Sequence, residues 1–484
     1  MQWEILVVML VYMAANIGIG LYSAKLNREA KGGFLEEYFL GGRGMGGFVL
    51  AMTLTTTYIS AGSFIAGPGI AYSQGLGWVL LAMTQLPVGY LVLGVLGKRF
   101  AIVARKINAV TVIDFLKQRY ESRTVVVLSV FGIIAFFLAA IAVQFIGGAR
   151  LFQSMTGYSY ETALFIFAGV VVFYVTFGGF RGVVLTDTAQ GIVMFVGTLL
   201  LVVGVFAYGG GVKPVMDKLA AINPDMITPF GLKNFISIPW IASFWILVGF
   251  GVIGLPQVAV RGMGYKDARA MHNAIIIGTI FTGFLMLGMH LIGAVGKAID
   301  PAIKIGDTVI PELTKMTLNP WLAGVFLTAP LAAIMSTVSS QLLVLSSTII
   351  KDLYVNYINP HPEEQFIKRT SLIITAITGI IVFAISYRPP EFLVWLNLFA
   401  LAGMESVFLW PTLLGLYWKR ANDYGALASI IFGCATYIYC HNFWVRPFGT
   451  HTIILPLLAA FFAFIIVSYL TPAPKEETIR KFWG

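Results

Sequence analysis

Apolar stretches long enough to cross a bilayer follow one another along nearly the whole chain, about thirteen of them at roughly 20 residues each. In hydrocarbon every backbone N–H and C=O must be satisfied by protein, and a helix does this within its own segment. The pattern therefore predicts an all-α integral membrane fold. No polar stretch is long enough to form a soluble module, so residues 1–484 read as one membrane domain. Within it we expect an extra N-terminal helix at 3–24, two related halves at 46–208 and 238–418, and C-terminal helices with a tail at 424–484.

The net charge is +10, which for a soluble chain would suggest nucleic acid. Here only 11% of residues are charged, and they sit in short loops between apolar spans. The loop after the first span holds Lys25, Arg28, Lys31 and Arg43, and the loop after the third holds Lys98, Arg99, Arg105, Lys106, Lys117, Arg119 and Arg123. Later loops on the same side add Arg181, Arg261, Lys351 and Lys419. The bias toward one side predicts an N-terminus outside and a C-terminus in the cytoplasm. The first apolar stretch is long enough to span and is expected to be retained rather than cleaved. The two cysteines, Cys434 and Cys440, share one apolar segment, so neither a zinc site nor a disulfide framework is expected. There is no HExxH, no GxSxG elbow and no Walker loop, so the chain does not read as an enzyme. The energy source that fits is an ion gradient, since one cation moving down 100 mV releases about 2.3 kcal/mol.

Two spans are interrupted. The second carries Gly62 and then Gly67-Pro68-Gly69; the seventh carries Gly249, Gly251 and Gly254-Leu255-Pro256. Broken helices at corresponding places in two halves point to an inverted-repeat transporter with its site at the breaks. The ninth span supplies a partner. Ala333, Ser336, Thr337 and Ser340 fall at i, i+3, i+4 and i+7 on one helical face, with Ser339 beside them. Lipid gives a hydroxyl stripe no benefit. Such a stripe either packs on a neighbouring helix or presents oxygen ligands. Carbonyls of Thr56 and Ile59, the carbonyl of Ala333 and the hydroxyls of Ser336 and Thr337 would make a set of neutral oxygens suited to a monovalent cation. Asp187 in TDTAQG is an acid within a span, either a functional group or a partner for Arg181. Reaching Ser336, Ser339 and Ser340, it would complete a second cation pocket. His290 reads as a satisfied core histidine and Glu405 as a buried acid without an evident partner. Gln85, Gln144 and Gln257 are amides within apolar spans that suit either structural contacts or a polar solute.

Long strings of this chain resemble the sodium:solute symporter family. They include GLGWVLLAMTQLP, FGGFRGVVLTDTAQG, FGVIGLPQVAVRGMGYKDARAMH, LAAIMSTVSSQLL and GLYWKRANDYGALASIIFG. The resemblance implies a leucine-transporter-type core of 5+5 inverted repeats and sodium-driven import by alternating access. It assigns the main sodium site to Thr56, Ile59, Ala333, Ser336 and Thr337, the set reached from spacing, and a second sodium to Asp187, Ser336, Ser339 and Ser340. It sets the solute pocket just past the first break, at Ser60 and Ser63 with Gln144, to which Tyr58 and Gln257 are added as candidates. Within the family the likeness is to carriers of pantothenate, in the cytoplasmic membrane. The alternatives are another small carboxylate, an amino acid such as proline, or a sodium-gated channel or sensor. Valines at 248 and 252, where sugar and proline carriers place aromatics, argue against proline or a sugar. With no arginine evident at mid-membrane, a solute carboxylate is expected to meet free N–H groups at a half-helix N-terminus.

Overall fold

The computed structural model describes residues 3–29, 43–389 and 393–484. Lys31 lies outside the described residues, as does the side chain of Arg28. Among the described residues the fold is helical, with one isolated backbone bridge between Met45 and Tyr265. Among the described residues, nine helices are long and apolar enough to cross a membrane, or up to eleven when each of two sharply bent pairs counts as one span. A shorter apolar helix, Ile454–Leu470, lies near the C-terminus.

Both interruptions read from the sequence are real breaks. Gly47–Tyr58 and Gly62–Gln74 meet at 68°, and Ile238–Gly254 and Pro256–Met263 at 53°. The second break has a simple cause. Pro256 opens the following helix, where its missing N–H costs nothing, and it pushes Leu255 out of the helical region to φ −81°, ψ 115°. The first break falls at Ile59, φ −75°, ψ 126°, three residues before the glycines begin. Gly67-Pro68-Gly69 serves close packing instead. A Cβ on Gly69 would lie 2.6 Å from the backbone of Gly306, and one on Gly293 would lie 2.6 Å from the Pro68 Cα.

The 49-residue rod Tyr160–Tyr208 is interrupted at Gly179, φ 58°, ψ −163°, a conformation open essentially to glycine alone. The helix Pro320–Ser347, which carries the hydroxyl stripe, is buried along nearly its whole length. It packs against the first broken helix, Arg123–Thr156, Tyr160–Tyr208 and the N-terminal helix Trp3–Glu29. At the basic end a short helix, Val112–Tyr120, is tied to the far end of the hydroxyl helix and its extension. Thr111 donates to Asp352 at 2.7 Å, and Lys351 pairs with Asp114 at 3.0 Å.

Candidate functional site

A break in a buried helix leaves donors and acceptors that must all be accounted for. At Ile59 the freed donors are met by side chains. Ala61 N–H donates to Gln144 Oε1 at 2.9 Å, and Gly62 N–H to Ser60 Oγ at 3.2 Å. The freed acceptors face the hydroxyl helix. Ser336 Oγ donates to the carbonyls of Thr56 (2.8 Å) and Ala333 (3.0 Å); Thr337 Oγ1 lies 3.0 Å from the carbonyls of Ile59 and Ala333. Three carbonyls and two hydroxyls thus converge between two helices, all fully buried or nearly so. These are the five residues expected from spacing. The donor set has no carboxylate, so its chemistry suits a small monovalent cation and not a divalent one. A cation there would replace the hydroxyl protons as the positive partner of the carbonyls.

The acid of the set is engaged differently. Asp187 Oδ2 accepts from Thr53 Oγ1 at 2.6 Å and pairs with Arg261 Nη2 at 3.5 Å. The same guanidinium donates to Ser340 Oγ, which is shared with Thr57 Oγ1 at 3.1 Å, and lies 4.9 Å from the ring centre of Phe180. Ser339 Oγ turns back to the Ser336 carbonyl at 2.9 Å. The expected acid–serine pocket therefore contains a cation already, and it is an arginine. This corrects the placement of Arg261 in a basic loop: the residue is buried within the helix Pro256–Met263. The 53° bend turns Pro256–Met263 inward and leaves Arg261 1% exposed. Burial on that scale persists because the charge is paired and its donors are used.

Beside the first break lies a cavity lined by Tyr58, Ser60, Ser63, Gln85, Trp78, Val248, His290 and Asn397. A smaller chamber beside it is lined by Gln144, Gln257, Gln341 and Thr337. The two share Tyr58, Ser60, Asn397 and Leu401. All five candidate solute residues therefore line one or the other of two adjoining cavities, the second of which reaches Thr337 on the hydroxyl helix. Tyr58 OH lies 3.0 Å from the Val248 carbonyl and so joins the two broken helices. The half-helix N-terminus is not free for an anion, since Gln144 and Ser60 already hold its first N–H groups. Side-chain donors are what the cavity offers a carboxylate. His290 is a buried histidine that also lines the cavity: its Nδ1 is bound to the Met286 carbonyl at 2.8 Å, so Nδ1 is the donor, and in the neutral ring Nε2, beside Gly67, is an acceptor. Asn397 was missed by sequence reasoning. An amide in the run LVWLNLFAL is a polar group in an apolar span, the signal that marks the glutamines.

The family model described as sodium:solute symporter family matches residues 38–433. The chain belongs to that family. This symporter is 50% identical to the sodium/pantothenate symporter of Escherichia coli (strain K12) over 481 residues, covering 99% of each chain. It is 46% identical to the sodium/pantothenate symporter of Haemophilus influenzae, again over 99% of each. Its fold is shared with a Na+-coupled sialic acid symporter solved in a substrate-bound outward-open state, at TM-score 0.80 and 19% identity over 98% of this chain and 99% of that one. It is a multi-pass membrane transporter and not an enzyme, and sodium is its coupling ion.

Proposed function

We propose that this symporter imports pantothenate with sodium across the cytoplasmic membrane. The observation that carries the mechanism is the convergence of the Thr56, Ile59 and Ala333 carbonyls on the hydroxyls of Ser336 and Thr337. Sodium bound by these oxygens fastens the broken helix to the hydroxyl helix. A ligand drives a change of state only through its different affinity for the two states. Sodium has that difference when the two helices part in the inward-facing form and the set of five is divided. The solute is the pantothenate named by relatives at 50% and 46% identity. Its amide and hydroxyls suit Ser60, Ser63, Gln144, Gln257 and the acceptor nitrogen of His290, and its carboxylate takes side-chain donors such as Asn397. Tyr58 closes the space toward Val248. The Asp187–Arg261 pair is assigned a structural and gating role, in place of a second sodium at Asp187, Ser336, Ser339 and Ser340.

The topology in this reading has about thirteen crossings. Gly179 divides Tyr160–Tyr208 into two of them, each bent pair forms one and Ile454–Leu470 is another. Residues 46–208 and 238–418 form the inverted repeats, each opened by a broken helix, with 3–24 and 424–484 outside them. The N-terminus faces out and the C-terminus the cytoplasm, as the Lys and Arg bias requires.

The test is uptake of labelled pantothenate into proteoliposomes under an imposed sodium gradient, with proline and lactate as competitors. Uptake that needs the gradient and resists both competitors is expected; gradient-independent flux without saturation means a channel. Ser60→Ala and Ser63→Ala are each expected to raise the pantothenate KM about fivefold to tenfold, the worth of one hydrogen bond. Unchanged KM in both removes these serines from the solute pocket.

A further inference from the structure

Two buried amides face the smaller chamber with their oxygens unmet. Gln144, on the same chamber, is committed to the Ala61 N–H. The Oε1 atoms of Gln257 and Gln341 have no hydrogen-bond partner among the described residues, although these side chains are only 2% and 3% exposed. Gln341 stands one turn past Thr337 on the hydroxyl helix, and Gln257 is the second residue of Pro256–Met263. The two helices are tied together at this level, since Arg261, one turn past Gln257, donates to Ser340, the neighbour of Gln341. A buried amide costs free energy until its oxygen and its N–H groups are met.

The chamber limits what can meet them. Its walls carry no charged side chain among the described residues, so it offers a carboxylate no counter-charge. It has room for little more than a group the size of a water molecule. A hydroxyl satisfies both conditions. It donates to one amide oxygen and accepts from the other amide's N–H. Leu401 lines both cavities, and Val394 and Leu398 continue the apolar wall on the larger side. A solute whose end is a hydroxyl followed by branched hydrocarbon matches these walls in order.

We infer that Gln257 and Gln341 form a hydroxyl-reading subsite for the terminal CH2OH of pantothenate, with its two methyl groups against Leu401 and its carboxylate in the larger cavity. The inference rests on the pantothenate reading and deepens it. It fixes the orientation of the solute and makes the amide pair a determinant of specificity. An analogue without that hydroxyl leaves two buried amides unmet, the arrangement that rejects such analogues most strongly. Thr337 lines the same chamber and belongs to the sodium oxygens, so the turn that presents Gln341 is the turn a bound sodium holds.

The experiment follows uptake of labelled pantothenate by the full chain in proteoliposomes under a sodium gradient, with two competitors. One is the analogue whose terminal CH2OH is CH3; the other is panthenol, whose carboxylate is replaced by CH2OH. The wild type is expected to bind the deoxy analogue about tenfold to a hundredfold more weakly than pantothenate. Gln341→Leu and Gln257→Leu are each expected to weaken pantothenate and panthenol by the same factor, about tenfold, and to leave the deoxy analogue within about twofold. A wild type that binds the deoxy analogue as well as pantothenate overturns the inference. So do variants that weaken all three solutes alike, which is a structural effect, or none of them. Variants that weaken pantothenate and spare panthenol show the amides reading the carboxylate, and overturn it too. If Gln341→Leu does not fold, Gln341→Met carries the same comparison, and the wild-type discrimination stands without any variant. Absence of pantothenate uptake by the wild type contradicts the functional reading, and the inference falls with it; uptake without discrimination overturns the inference alone.

Discussion

Ser336→Ala raises the sodium concentration for half-maximal pantothenate uptake by about tenfold to a hundredfold. The estimate comes from the worth of one hydrogen-bonding oxygen on a charged partner, about 1.5–3 kcal/mol, at 1.4 kcal/mol per factor of ten. The Ser336 hydroxyl is bound to the Thr56 and Ala333 carbonyls and does not line the solute cavity. The pantothenate KM at saturating sodium is therefore expected to stay within about twofold of wild type, a change below 0.5 kcal/mol. Thr337→Ala shows the same loss of sodium activation. It also weakens pantothenate binding modestly, because Thr337 closes the inner end of the chamber. Initial uptake rates over a grid of sodium and pantothenate concentrations separate the two effects. Equal loss of both affinities at every sodium level in Ser336→Ala contradicts the assignment.

Arg261→Gln lowers the stability of the purified protein by about 3–5 kcal/mol, the cost of leaving a buried charge without its partner. The charge left behind is Asp187, which keeps only the Thr53 hydroxyl on Oδ2 and has no hydrogen-bond partner on Oδ1 among the described residues. The double variant Arg261→Gln/Asp187→Asn is expected to recover most of that loss, because removing both members of a buried pair is often close to neutral. Thermal unfolding in detergent of the two single variants and the double variant gives the coupling directly. If the two single effects simply add, Arg261 and Asp187 do not act as a pair. A double variant that is stable yet transports slowly points to a gating role in addition to the structural one.

The parts legible in the sequence are those carried by local rules. Span length gave the membrane fold, glycine and proline marked both broken helices, and helical spacing put Ala333, Ser336 and Thr337 on one face. The five oxygens followed because a break must expose carbonyls and a hydroxyl face must meet something. Three features were hidden, each set by tertiary geometry. Arg261 reads as a loop cation because a charge six residues past the break at Leu255 says nothing of the bend angle, and the 53° turn buries it. The N–H groups past the first break read as free because Gln144, which caps Ala61, comes from a helix 83 positions away in sequence. Glu405 reads as a buried acid without an evident partner, and its close packing on Gly251 of the second broken helix comes only from the tertiary fold.

Equilibrium binding of sodium-22 to the purified protein bears on the mechanism more closely than any transport rate. A single class of saturable sites is expected in the wild type at low pantothenate, preserved in Ser60→Ala and absent over the same concentration range in Ser336→Ala/Thr337→Ala. Wild-type binding by that double variant, with its fold intact, would place the coupling ion somewhere other than between the unwound backbone and the two alcohols.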